Sequence, residues 1–311
     1  MRPLITVANR CLHVLSKNSP SEHAVSCSLH LGSGFAGDSP QEDLHPPPPC
    51  VEVLPSEVSE NVKYTVEPVQ LGELTLLKGR VSTQEVFSLS NSDLVPGKYE
   101  GGLKLWEGSM DLVKALQSEI QAGKLSFSGK RVLELGCGHG LPAIFASLEG
   151  AHTVHLQDFN AEVLRCLTIP NMDANLKKSH APECSLADRD IRFFGGDWKD
   201  IHQILPHIKY NEEDPNGDNG SASGGYDVIL MAETVYSISS LQHLYELVKK
   251  CMSCPHGVAY MAGKKHYFGV GGGTRRFLSL VEKDGIMASS IVGEVADGSS
   301  NLREIWRLSF K

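Results

Sequence analysis

Residues Val132-Leu133-Glu134-Leu135-Gly136-Cys137-Gly138-His139-Gly140 constrain the fold more than any other stretch of this chain. An apolar strand runs straight into three alternating glycines, and an apolar helical stretch (141–149) follows. Glycine tolerates left-handed backbone and lets the main chain approach a ligand more closely than any Cβ would allow. In open α/β sheets that approach occurs at the carboxyl ends of the strands. A dinucleotide fingerprint spaced G-x-G-x-x-G needs glycine at 141, where Leu141 stands, and a phosphate loop needs a Lys-Ser/Thr pair, which does not follow. The spacing here is G-x-G-x-G.

Strand and helix patterns then alternate. Strands are expected at 131–135, 153–157, 191–194, 226–231 and 258–262, and helices at 105–120, 141–149, 161–167, 241–251 and about 275–282. Such alternation requires crossovers, hence a mostly parallel sheet covered on both faces. Two last strands, 286–295 and 304–310, are parted by the short turn 297–300 and predict an antiparallel hairpin at the sheet edge. Residues 98–311 form the main domain. Residues 51–97 alternate in short pieces, as at 62–66 and 74–77, and read as an N-terminal extension of short strands. Residues 1–50, rich in Ser, Pro and Gly and ending in Pro46–Pro49, read as a disordered tail. Arg2, Arg10 and Lys17 without an acid in residues 1–20 also fit an organellar transit peptide. The polar stretch 211–225 reads as a surface insertion.

Composition removes several function classes. The net charge of -8, without Lys/Arg runs, suits no grip on a phosphate backbone, so direct nucleic-acid binding is not expected. No apolar run approaches the roughly 20 residues of a membrane span. Eight cysteines show no disulfide framework and suggest a reducing compartment, and the lone Cys251-x-x-Cys254 lacks the further ligands of a metal site. Oligomeric state is not legible.

The other strand ends carry polar and aromatic side chains. Asp158 can accept bonds from two ribose hydroxyls, with Phe159 and Asn160 beside it. Gly196-Asp197-Trp198 offers an acceptor for an adenine amine and an aromatic wall, although a tryptophan taken alone is more often core packing. Ala232-Glu233-Thr234-Val235-Tyr236 brings a carboxylate to the same edge.

A strand with an acidic residue followed by G-x-G-x-G resembles the first motif of class I methyltransferases. More specific are Lys98-Tyr99-Glu100-Gly101-Gly102-Leu103-Lys104-Leu105-Trp106-Glu107, Asp158-Phe159-Asn160, Ile169-Pro170-Asn171, Gly196-Asp197-Trp198, Glu233-Thr234-Val235-Tyr236 and Lys265-His266-Tyr267-Phe268-Gly269-Val270-Gly271-Gly272-Gly273. Together these blocks, over roughly 60–311, resemble the histidine protein methyltransferases. The resemblance implies a Rossmann-like seven-stranded fold and S-adenosylmethionine as methyl donor. It further implies Nτ (Nε2) methylation of a histidine in a large-subunit ribosomal protein, and residence in cytoplasm and nucleus. By matching position it puts cofactor contacts at Leu105, Trp106, Glu107, Gly108, Ser109, Gly136, Asp158, Phe159, Asn160, Gly196, Asp197, Trp198 and Ala232, to which the glycine loop adds Gly138. Trp106 would face the sulfonium by cation–π attraction and Glu107 the ammonium. Two positions depart from the family's pattern: Gly108-Ser109 stands where Cys-Thr is common, and Ala232 where a hydroxyl residue is common. Glu233 is the catalytic candidate, accepting Nδ1–H of a neutral imidazole and leaving Nε2 free to attack; it could equally orient Thr234 or cap a helix. The run Gly271–Gly273 fits either a lid or a tight turn. A lysine methyltransferase of the same fold and a non-catalytic cofactor-binding protein are the alternatives.

Overall fold

The computed structural model describes residues 47–90, 92–179, 190–206, 224–296, 298 and 301–311. In chain order it contains β1 (Val51–Val53), β2 (Thr65–Leu71), β3 (Leu74–Arg80), α1 (Thr83–Phe87), α2 (Glu107–Gln121), β4 (Arg131–Leu135), α3 (Leu141–Leu148) and β5 (Thr153–Asp158). A helix follows, built from α4 (Ala161–Val163), a π turn (Leu164–Thr168) and α5 (Ile169–Lys178). Then come β6 (Asp190–Gly195), β7 (Val228–Ala232), α6 (Ile238–Cys251), β8 (Val258–Lys264), α7 (Thr274–Asp284), β9 (Met287–Val295) and β10 (Arg303–Phe310).

Eight strands form one sheet in the order β1-β6-β5-β4-β7-β8-β10-β9. The five from β6 to β8 are parallel. β10 runs antiparallel between β8 and β9, so the expected terminal hairpin closes the edge with β9 outermost. Leaving out β1, this is the seven-stranded class I methyltransferase fold. Successive side chains of a strand point to opposite faces, and the core divides accordingly. Val132 and Leu230 pack with Leu112 of α2 and Ile144 of α3. Leu133 and Ile229 pack with Leu244 of α6 and Phe277 of α7. The chain reverses its lateral direction between β4 and β7, and a crevice opens there beyond the strand ends.

Several element ends shift by two or three residues from expectation, α6 beginning at Ile238 and β7 at Val228 among them. The helix expected at 161–167 continues to Lys178, because the widened turn at Leu164–Thr168 precedes Pro170, which has no N–H for the ladder. The strand expected at 62–66 begins at Thr65. The expected tail ends short of Cys50, which packs on Gly196, and Val51–Val53 adds β1 antiparallel to β6. The remainder of the tail, with its transit-peptide composition, and residues 211–223 of the polar insertion lie outside the described residues.

One buried ion pair ties the terminal hairpin to the opposite layer. Arg303 Nε of β10 lies 2.6 Å from Asp111 Oδ2 of α2, with both side chains under a tenth exposed. Removing one partner of a buried pair costs about 3–5 kcal/mol. Asp111→Ala should lower the unfolding free energy, measured by denaturant titration, by that much; a loss below about 1 kcal/mol, the value of an exposed pair, would mean that the pair does not anchor the hairpin.

Candidate functional site

The glycine loop after β4 is held open by partners from five directions. Gly136, Gly138 and Gly140 all have positive φ. Buried Glu134 accepts the Ala143 N–H at the start of α3, at 2.8 Å. Cys137 N–H donates to the Gln157 carbonyl, and Asp158 Oδ2 accepts Gly138 N–H at 2.9 Å. The Thr168 hydroxyl donates to the Gly138 carbonyl and Asn171 Nδ2 to that of His139. Above the loop lies the segment leading into α2: a Cβ on Gly138 would come within 2.9 Å of the Gly102 carbonyl oxygen. Between them a cleft of about 600 Å³, counted to its open mouth, is lined by residues from every strand end at the crevice.

His139 sits in this lining. Its Nε2 is 3.1 Å from the Leu103 carbonyl, which can only accept, so Nε2 carries the proton and Nδ1 a free lone pair. Burial pulls its pKa down to about 4, so the ring is neutral. Two buried side-chain atoms among the described residues lack a hydrogen-bond partner, His139 Nδ1 and Thr234 Oγ1. Both residues line the cleft.

The opposite wall is Glu233, a residue after β7 with left-handed φ of 57°, a conformation costing a non-glycine residue about 1–2 kcal/mol. Gly108 N–H donates to its Oε1 at 3.1 Å and the Tyr267 hydroxyl to its Oε2. A side chain at 108 would meet Glu233 Oε1 at 2.7 Å, so glycine there lets the carboxylate lie against the start of α2. Burial, opposed chiefly by the Tyr267 bond, leaves the Glu233 carboxyl above its usual pKa.

Of the residues expected at the site, Leu105, Trp106, Ser109, Gly136, Gly138, Asp158, Phe159, Trp198, Ala232 and Glu233 line the cleft. Gly196 and Asp197 line an adjoining pocket that shares Glu100, Phe159 and Trp198 with it. Asn160 is buried and turned away, donating to the Lys98 carbonyl and accepting Glu100 N–H, so it clamps the segment over the cleft. Glu107 is exposed in the first turn of α2 and does not line the cleft, contrary to its expected place at an ammonium. The Trp106 ring already carries a cation, Lys104 Nζ, 4.4 Å from its centroid. Reading of the sequence missed Glu100, Lys104, His139 and Gln157. The last bridges three strand ends, accepting from Gly136 N–H and Trp198 Nε1 and donating to the Gly196 carbonyl.

No protein-family model matches the chain. It is 31% identical to mouse histidine protein methyltransferase 1 homolog, covering 94% of this chain and 87% of that one. It is 38% identical to the Dictyostelium discoideum homolog over 72% of this chain, spanning 62% of that protein's length. The chain belongs to the histidine protein methyltransferase family. Among solved structures, an arsenic(III) S-adenosylmethionine methyltransferase from Chlamydomonas reinhardtii is 15% identical, with a TM-score of 0.44 over 64% of this chain and 73% of that one.

Membership of the histidine protein methyltransferase family implies S-adenosylmethionine as methyl donor, and the lining of the cleft suits it. Two orphaned polar atoms await a ligand with hydroxyl and ammonium groups, while Phe159 and Trp198 supply aromatic walls. Burial raises the Asp158 pKa from 3.8 to about 6. Its oxygens accept Gly138 and Asn160 N–H and keep further lone pairs for ribose hydroxyls. Ribose hydroxyls donate to the ionised form, so below pH 6 a proton must first leave. S-adenosylhomocysteine affinity, measured calorimetrically, should therefore weaken as pH falls through 6, approaching about tenfold per pH unit, a slope that Asp158→Asn abolishes. A flat profile in the wild type would take Asp158 off the ribose.

Proposed function

We propose that this protein transfers a methyl group from S-adenosylmethionine to Nε2 (Nτ) of a histidine in a large-subunit ribosomal protein, working in cytoplasm and nucleus. The observation that carries this reading is the position of Glu233. It lines both the cleft described above and an adjoining pocket walled by Leu94, Glu100, Trp106, Tyr236, Tyr267 and Val270. A carboxylate between donor and acceptor sites suits an acceptor that presents one N–H and one lone pair on opposite edges of a ring. Among protein side chains that is neutral imidazole.

S-adenosylmethionine supplies an electrophilic methyl on a sulfonium, open to in-line displacement. Much of the rate then comes from alignment. In this reading Glu233 accepts the substrate's Nδ1–H, fixes the tautomer and aims the Nε2 lone pair at the cleft. As the N–C bond forms, positive charge spreads over the ring and the carboxylate stabilises it. The Nδ1 proton then passes to Glu233, whose raised pKa makes it a competent acceptor, and on to water. The family resemblance supports the ribosomal substrate, and the cellular location follows from where ribosomal proteins are made and assembled.

Purified protein, labelled donor and large-subunit ribosomal proteins, followed by mass spectrometry of the modified residue, test this. Nτ-methylhistidine is expected; modified lysine would transfer the chain to the sibling chemistry, and no label at all would end the enzymatic reading. Glu233→Gln keeps volume but loses charge, and should cut kcat about 10–1,000-fold with cofactor affinity nearly intact. Unchanged kcat would make Glu233 structural. Imaging of the tagged full chain tests location, organellar signal alone favouring a transit peptide in residues 1–20.

A further inference from the structure

The loop between β8 and α7 is built around a contact that only glycine permits. Gly272 N–H donates to the Tyr236 carbonyl at 2.9 Å and Gly273 N–H to that of Val235 at 2.7 Å. A Cβ on Gly272 would collide with both carbonyl oxygens. Gly271–Gly273 is thus a turn packed on the backbone that follows Glu233. The packing turns Tyr267 inward, where its hydroxyl accepts Lys264 N–H at 3.2 Å and donates to Glu233. With Gly108 N–H on the other oxygen, the carboxylate is held at both ends, and each oxygen keeps lone-pair capacity. Across the pocket, the Tyr236 hydroxyl donates to Glu100, whose other oxygen accepts Gly97 N–H at 2.7 Å. The two tyrosine rings stand edge to face, 6.5 Å between centroids. Glu100 and Glu233 thus each receive one donor per oxygen and both line pocket and cleft, but Glu233 alone is also fixed by a left-handed backbone and by the first turn of α2.

We propose that Tyr267 is a positioning residue that aims Glu233 at an acceptor imidazole held edge-on in the pocket between Trp106, Tyr236 and Tyr267. This rests on the histidine reading above and adds to it the group that sets the carboxylate's direction. Tyr267 also sets when Glu233 is charged. The groups that act on the Glu233 charge are Tyr267, Lys264, the Gly108 N–H and, from the outer side of α2, Glu107. Burial raises its pKa, the first three lower it with Tyr267 foremost, and Glu107 raises it. Taking away the phenol hydroxyl removes the strongest opposing influence, so the pKa rises further and the ionised carboxylate persists only at higher pH.

The test uses the full chain, wild type and Tyr267→Phe, with large-subunit ribosomal proteins as acceptor. In the variant kcat should fall about ten- to a hundredfold, the scale of one hydrogen bond to a charged group, while S-adenosylhomocysteine affinity stays within about twofold. The acid limb of the kcat–pH profile should move to higher pH, which mere loosening of the loop would not produce. An unmoved limb with unchanged kcat, or loss of cofactor affinity in parallel with rate, overturns the proposal. A second arm does not depend on the natural substrate. Imidazole is titrated into the S-adenosylhomocysteine complex while the ¹³C-carboxyl signal of Glu233 is followed by NMR. The signal should respond in the wild type, respond more weakly in Tyr267→Phe, and titrate at higher pH there. No response in the wild type, or identical behaviour of the two, overturns the proposal as well. Failure of histidine methylation alone, with the imidazole response intact, counts against the function and not against Tyr267.

Discussion

A loop of three left-handed glycines cannot hold its own shape, and the rest of the site depends on what holds it. Each contact comes from a different part of the chain: Glu134 from the same strand, Gln157 and Asp158 from the next, Thr168 and Asn171 from the helix after it. Asn171 carries the constraint outward, because its Oδ1 accepts from Gly79 N–H and the Tyr64 hydroxyl while its amide holds the loop. Asn175, one turn on, exchanges hydrogen bonds with both backbone groups of Leu77. The β2–β3 hairpin outside the main sheet is therefore fastened to the glycine loop through two buried amides. An unsatisfied buried polar group costs about 1–3 kcal/mol, so losing either end of this chain would be felt at the loop.

Three buried carboxyl groups stand at the crevice, and their surroundings differ. Glu134 is fully enclosed, and burial pushes its pKa up with one N–H to offset it. Asp158 is also enclosed, but backbone N–H groups offset enough of the burial to leave its pKa near 6. Glu233 has a tyrosine, a backbone N–H and Lys264 to favour its charge. In each case burial raises the pKa and the hydrogen-bond donors oppose it. This balance leaves charge-bearing acids on the walls where a cationic sulfonium and a developing imidazolium would lie.

Much of this was legible in the sequence because strand ends in a parallel sheet converge. Once β4, β5, β6 and β7 were recognised, the residues following them had to meet, and Gly136, Asp158, Trp198 and Ala232 do. Tyr267 and Glu100 were not legible as site groups, since each reaches the pocket by loop packing that no periodicity encodes. Glu107 was misplaced for a related reason: Trp106 caps α2, and the helix then turns Gly108 and Ser109 inward and Glu107 out. The tail boundary was missed because Cys50 fills space above Gly196, a contact with no local signature.

The beginning of α2 shows how these pieces act together. A helix N-terminus carries partial positive charge and unpaired N–H groups, and here one of them, Gly108 N–H, is aimed at Glu233. Any larger residue at 108 would push the carboxylate away, and any loss of the Gly272 contact would free Tyr267 from its other oxygen. Glu233 itself pays for this arrangement with a left-handed backbone. Strain of that kind persists only where the surroundings over-determine it, and two loops more than a hundred residues apart converge on one side chain to do so. Its orientation is thus a property of the assembled sheet edge, fixed before any acceptor arrives.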